Sequence, residues 1–354
     1  MGFYTLRKER DPQQLDALTR LNVEDLIASF KLDRTRRGRR LLELICWLPA
    51  RRFAHQILAY EQMVGDCGLH LGASWIVHTF ARRLEIYGAE YVPGRGPLLV
   101  LSNHPGMSDA MALFVALSRP DLKVIAAERK LLRLLPNISS HLVFIPEGEG
   151  ESRGRMSGMR TIAAHLRRGG AALIYPAGRI EPDPLVMPDA IDALAHWSES
   201  VTLFARLASE ALVLPVAVGG TISAAALRNP IPRLYRKRRD REWAAATLQV
   251  LLPAYRPPVV RVVFAEPLQA ASLAALGAPP DIMRVITGRV ADAMRRMQAP
   301  DQTVTWAGAA AVNGTTTARA PTRGAPPDDA PAATVGAASM NNHRQGAHKG
   351  RSSR

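Results

Sequence analysis

Cysteine is nearly absent. The chain has two in 354 residues, Cys46 and Cys67, and neither sits in a Cys-x-x-Cys pair. That excludes a disulfide framework and argues against a structural zinc site. Aromatic residues are scarce as well, at 6%. No window of about 18 apolar residues occurs, so no membrane-spanning helix is expected. The opening run Met1-Gly2-Phe3-Tyr4 leads straight into Arg7, Lys8 and Arg10 and has none of the apolar core of a signal peptide. Also missing are internal repeats and the Walker A, G-x-G-x-x-G, G-x-S-x-G and H-E-x-x-H patterns. Their absence disfavours nucleotide-dependent chemistry, α/β-hydrolase catalysis and zincin proteolysis. Acidic residues fall short: 31 Asp and Glu face 46 Lys and Arg, for a formal net charge of +15.

What is present is ample apolar material, 47% of residues, enough for a packed core. The excess of positive charge suits a polyanionic partner: nucleic acid, an anionic membrane surface, or phosphorylated or CoA-like substrates. Little of it lies in residues 299–354, where Arg319, Arg323, Arg344, Lys349, Arg351 and Arg354 oppose Asp301, Asp328 and Asp329. That segment is rich in Ala, Thr, Gly and Pro and is expected to be disordered. The basic character belongs to the body.

Three regions are expected: a helical, basic region over 1–90, an α/β domain over 91–298, and the tail. Within the first, Lys31, Arg34, Arg36, Arg37, Arg39, Arg40, Arg51 and Arg52 surround Leu41-Leu42-Glu43-Leu44-Ile45-Cys46-Trp47-Leu48, which Pro49 closes. A second apolar stretch, Leu69 to Phe80, contains Trp75 and precedes Arg82 and Arg83. Aromatics flanked by Arg fit a membrane interface, and they fit core helices with solvated basic faces equally well. Beyond residue 90 the pattern changes. Short β-type runs (Leu98–Leu101, Lys123–Ala126, Leu142–Ile145, Ala172–Tyr175, Leu212–Val218, Val259–Phe264) alternate with helical stretches (Ala110–Leu117, Ser157–Arg168, Ser200–Ala208). Alternation of this kind indicates an α/β fold, a largely parallel sheet flanked by helices.

The chemistry centres on Leu98-Leu99-Val100-Leu101-Ser102-Asn103-His104-Pro105-Gly106-Met107-Ser108-Asp109. An apolar strand delivers His104 to its carboxyl end, where open α/β sheets hold their sites. Pro105 keeps His104 out of the helical region, and Gly106 allows a tight turn. The next helix is expected to start near Ser108, with Asp109 in its first turn. The turn lets the Asp109 carboxylate fold back onto the imidazole, holding one ring nitrogen and leaving the other free as a base. Taken alone, the pair reads more readily as a turn histidine and a helix-terminal charge favoured by the dipole. Company elsewhere in the chain changes that.

The Asn103–Asp109 segment, Leu142-Val143-Phe144-Ile145-Pro146, Leu173-Ile174-Tyr175-Pro176-Ala177-Gly178-Arg179, Val213-Leu214-Pro215-Val216-Ala217 and Val262-Val263-Phe264-Ala265-Glu266-Pro267-Leu268 follow one another in order. Together they resemble the blocks of the glycerolipid acyltransferases, the family of lysophosphatidate (1-acylglycerol-3-phosphate) acyltransferases. The resemblance covers the α/β part and leaves out the first 90 residues and the tail. It also departs from the family's pattern. An acidic stretch, Glu147 to Glu151, separates the second block from Arg153 and Arg155, and the third block carries Ala177, Arg179 and Ile180 where the family has Glu, Thr and Arg.

The resemblance implies an O-acyltransferase of phospholipid biosynthesis. It would move a fatty acyl group from acyl-CoA or acyl-acyl carrier protein to a lysophospholipid-like acceptor. His104 would be the general base and Asp109 its orienting carboxylate. Arg153, Arg155, Gly178 and Arg179 are the candidates for binding the acceptor, with Glu181 replacing the missing carboxylate. Backbone amides between Pro105 and Asp109, or at Gly178, are open alternatives for stabilising the oxyanion. No metal and no cofactor beyond the acyl thioester is implied; His55, His70, His78, His141, His165 and His196 show no ligand spacing. The expected partner is an anionic membrane surface, approached peripherally from the cytoplasmic side, and no nucleic acid is expected. The cluster Arg233-Leu234-Tyr235-Arg236-Lys237-Arg238-Arg239-Asp240-Arg241 fits a solvated loop, lipid head-group contact or nucleic acid. A competing class, a non-catalytic lipid- or nucleic-acid-binding protein on the same scaffold, draws support from the altered third block. Retention of both His104 and Asp109 argues against it.

Overall fold

Strand β2 (Leu98–Ser102) is buried at every position, and its side chains alternate between two cores. Leu98 and Val100 join one cluster and Leu99 and Leu101 the other, as the period of two along a strand requires. A strand buried on both faces reads as a continuous apolar run, which is why it stands out in the sequence. The computed structural model describes residues 11–32, 38–146, 152–257 and 259–298. The expected disordered tail, the stretch Glu147–Glu151, and Arg34, Arg36 and Arg37 lie outside the described residues.

The other strands are β1 (Leu84–Tyr87), β3 (Lys123–Ala127), β4 (Leu142–Ile145), β5 (Ala171–Ile174), β6 (Leu212–Gly219), β7 (Val260–Phe264) and β8 (Leu268–Gln269). They form one mixed, mostly parallel sheet in the order β1-β7-β6-β2-β5-β3-β4, with β8 also paired to β6. The antiparallel contacts are β6 with β7 and β6 with β8. Pro215 falls between those two pairings, so its missing N–H removes no ladder bond on that side. Six strands match the expected runs to within about a residue. Strands β1 and β8 were not expected.

On one face of the sheet lie the helices α1 (Pro12–Ser29), α2 (Arg39–Cys67), α3 (Leu69–Phe80) and α4 (Met107–Leu117). Leu18, Leu58, Ile76 and Leu113 share a cluster with Val100, Leu214 and Val262. The opposite face is covered by helices that include Ser152–Arg167 and Pro279–Gln298, through Ile162, Leu166, Ile286 and Met294. The division expected near residue 90 therefore runs through a shared core, and β1 lies inside the region read as wholly helical. The described residues fall in one compact unit.

Two local expectations are corrected. Helix α2 runs straight through Pro49. The carbonyl deprived of its donor belongs to Ile45, four positions back, and that residue is exposed, so water can replace the missing bond. The expected helix Ser200–Ala208 is a 3₁₀ turn, Glu199–Thr202, followed by one short helix, Leu203–Leu207.

Candidate active site

Three neighbouring parallel strands, β6, β2 and β5, end on the same edge of the sheet, and the site is assembled from the turns that follow them. After Ser102 the backbone leaves the ladder, but pairing continues through a side chain. Asn103 donates from Nδ2 to the Val218 carbonyl and accepts at Oδ1 from the Val218 amide, both at 2.8 Å. The fully buried Asn103 thereby replaces one rung of backbone pairing. His104 follows with its direction fixed.

Helix α4 begins at Met107 with Gly106 as its N-cap, so the expected start at Ser108 is corrected by one residue. Asp109 occupies the first turn and is fully buried. Its Oδ2 accepts from His104 Nδ1 at 2.7 Å and from the Gly106 amide at 3.2 Å, while Oδ1 accepts from the Ala110 amide at 2.5 Å. An ionised carboxylate only accepts, so Nδ1 carries the proton and Nε2 is left with its lone pair. The His104 side chain keeps 27% of its surface exposed, which leaves the ring open to a reactant. Burial alone would pull the imidazole down. The charge and hydrogen bond of Asp109, with the charge of Glu181 behind them, outweigh it and hold His104 above its ordinary value.

The loop after β5 closes around this pair. Tyr175 stacks on His104 with ring centroids 4.4 Å apart. Burial and the Asp109 charge push its phenol well above the usual value, so it stays neutral. Gly178 turns the chain with φ +60°, a conformation that favours glycine. Its amide donates to the Tyr175 carbonyl at 3.0 Å, so it is not free for an oxyanion, and that alternative is removed. Arg179 and Ile180 are exposed.

Glu181 turns back inward. Its amide donates to the His104 carbonyl at 2.8 Å, and its Oε2 accepts from the His104 amide at 2.9 Å. Oε1 accepts from Trp197 Nε1 at 2.8 Å. Burial raises the Glu181 carboxyl to about 7, against those hydrogen bonds and the His104 charge. Two residues on, the fully buried Asp183 accepts from the amides of Leu185, Gly220, Thr221 and Ile222 and from the Thr221 hydroxyl. This ties the β5 loop to the turn after β6. That turn abuts the first one: a Cβ on Gly106 would sit 3.1 Å from Thr221 Oγ1.

The structure thus unites His104 and Asp109 and brings the Gly178–Arg179 turn close to them through Glu181. Arg153 and Arg155 stand exposed in the first turn of helix Ser152–Arg167. That helix follows β4, three places along the sheet from β2 but parallel to it through β5 and β3, so both arginines lie toward the same edge. The sequence alone assigns no role to Asn103, Asp183 or Trp197. Among the described residues, no group of three or more His, Cys, Asp or Glu is arranged to hold a metal.

A histidine held in one tautomer by a buried carboxylate, at the carboxyl edge of a mostly parallel sheet, is the candidate site of an α/β domain. The family model described as Acyltransferase matches residues 83–219. The match opens one residue before β1 and closes at the end of β6, enclosing the turns just described except that after β6. No curated protein matches the sequence. Among solved structures, the chain is similar to the 1-acyl-sn-glycerophosphate (LPA) acyltransferase PlsC from Thermotoga maritima. The two share 15% identity over 81% of this chain and 94% of that one, with a TM-score of 0.40.

Proposed function

We propose that this protein moves a fatty acyl group from a thioester, acyl-CoA or acyl-acyl carrier protein, to the hydroxyl of a lysophospholipid-like acceptor. The observation that carries the reading is His104: Nδ1 held by buried Asp109, Nε2 free, ring partly exposed. Nε2 takes the proton as the acceptor oxygen bonds to the thioester carbonyl carbon. The tetrahedral oxyanion collapses, the C–S bond breaks, and the imidazolium returns its proton to the departing thiolate. The products are one ester and one thiol. Asp109 supports the imidazolium during the step. With the amides of Gly106 and Gly178 engaged, the oxyanion falls to the first-turn amides of α4, which have no intrahelical acceptor. The test of the reading is formation of that ester from an acyl thioester and a panel of lyso-lipid acceptors.

Arg179 is the candidate for the acceptor's phosphate, since a planar guanidinium binds phosphate through two parallel bonds. Arg179→Lys keeps the charge and loses the fork. It is expected to raise the acceptor KM severalfold, with kcat and the donor KM little changed. An unchanged acceptor KM removes Arg179 from this role. Arg153 and Arg155 remain secondary candidates on the same edge.

The lyso-lipid acceptor and the diacyl product reside in membranes, and α2 supports peripheral docking there. Leu41, Leu44, Ile45 and Leu48 fall at helical spacings of three, four and seven and form one stripe. All are exposed, Leu44 at 72% and Leu48 at 70%, with Trp47 beside them. The inward stripe is separate: Leu42, Cys46 and Ala50 pack on Val23 and Ile27 of α1. A helix apolar on two faces, with the exposed Arg40 and Arg52 at the two ends of the outer one, suits an anionic bilayer surface. No helix among the described residues is long and apolar enough to cross a membrane. Leu44→Ser with Leu48→Ser is expected to weaken sedimentation with anionic and neutral vesicles alike. Arg40→Gln with Arg52→Gln is expected to weaken only the anionic binding, by about 1 kcal/mol per charge. Vesicle binding untouched by both pairs would make the stripe a surface without a bilayer partner.

A further inference from the structure

We propose that Glu181 is a positioning residue for the acyl transfer described above, fixing the backbone and the charge environment of His104 where Asp109 fixes its ring. The proposal rests on the functional reading just given and deepens it.

The geometry is specific. Glu181 and His104 exchange two bonds, one in each direction: the Glu181 amide to the His104 carbonyl, and the His104 amide to Glu181 Oε2. The other carboxylate oxygen is fixed by the Trp197 indole. The two residues are 77 positions apart in the chain, so this contact staples the loop after β5 onto the turn after β2. A carboxylate is costly to bury, and neutral groups can satisfy a backbone amide and an indole equally well. What a carboxylate adds is negative charge beside an imidazole that must become positive during the reaction. The third block has Ala177 where the resemblance leads one to expect Glu. Glu181, four residues on, restores a carboxylate to the loop and holds it against the His104 backbone.

The groups that face His104 are Asp109 from α4, Glu181 from this loop and the neutral Tyr175 at the end of β5. Both carboxylates favour the imidazolium, and both raise His104. Glu181 itself titrates near neutrality, so the two groups titrate as a coupled pair. Losing the Glu181 charge must therefore lower the proton affinity of His104. A weaker base remains, and the acid limb of the activity profile moves to lower pH.

Glu181→Gln tests this, because one amide oxygen can keep only one of the two accepted bonds and the charge is gone. The readout is the His104 imidazole titration in the full-length protein labelled with ¹⁵N-histidine, its signal assigned by its loss in His104→Ala. The expected result is a fall of about one pH unit, a tenfold loss of proton affinity. The acid limb of kcat/KM should fall in parallel. Trp197→Phe provides a second route should Glu181→Gln fail to fold. It removes the donor that holds Glu181 ionised, and it should shift His104 the same way by less. A His104 titration unmoved in the folded variants overturns the proposal, even if stability drops. The titration needs no turnover, so a wild-type protein inactive toward every acyl thioester defeats the functional reading and leaves this test standing.

Discussion

His104→Ala is expected to lower acyl-transfer kcat/KM by about 10²–10⁴-fold, the range that general-base catalysis contributes. The fold should survive. The ring is partly exposed, and without it Asp109 still accepts from the amides of Gly106 and Ala110. Asp109→Asn should keep a small residue of activity, since the base remains but loses its orienting acceptor and the charge that supports the imidazolium. Steady-state kinetics beside thermal unfolding separate the two effects: turnover collapses while the melting temperature moves little. A His104→Ala protein that retains more than about a tenth of wild-type turnover excludes this residue as the base.

The largest expected loss of stability lies at Asp183. Its carboxylate is fully buried and receives four backbone amides and one hydroxyl. Asp183→Ala strands those donors, and each unsatisfied buried group costs about 1–3 kcal/mol. Some relaxation and water entry will offset part of that, leaving a loss of roughly 3–5 kcal/mol. Urea unfolding should show it as a large fall in midpoint at unchanged slope. Activity should fall as well, because the clamp holds the turn after β6 against Gly106. A loss below about 1 kcal/mol would mean that the turn finds other partners.

Much of the fold was legible because it is written locally. The six strands that matched are apolar runs punctuated by turn residues. Strand β1 escaped because Leu84-Glu85-Ile86-Tyr87 is short and follows a basic stretch, and its partner β7 lies at the far end of the domain. The available signal is the alternation of apolar Leu84 and Ile86 with Glu85 and Tyr87, which the burial pattern follows. Pro49 misled for a physical reason: a proline breaks a helix only where the lost bond cannot be replaced. In the site, His104 and Asp109 could be paired from sequence since five residues and one turn join them. The clamps could not. Asn103 reaches Val218 across 115 positions and Asp183 reaches Gly220 across 37, and no periodicity encodes such contacts. In the sequence Glu181 is only a spare carboxylate, and its bond to the His104 amide depends on the fold.

The central claim is a direct transfer from thioester to hydroxyl with His104 as base. The most direct measurement mixes the protein with an acyl-CoA and lysophosphatidate in anionic vesicles and follows thiol release and lipid product together. One thiol released for each diacyl lipid formed, with both lost in His104→Ala, is the predicted result. Thiol release without ester, or ester formed equally well by His104→Ala, would contradict it.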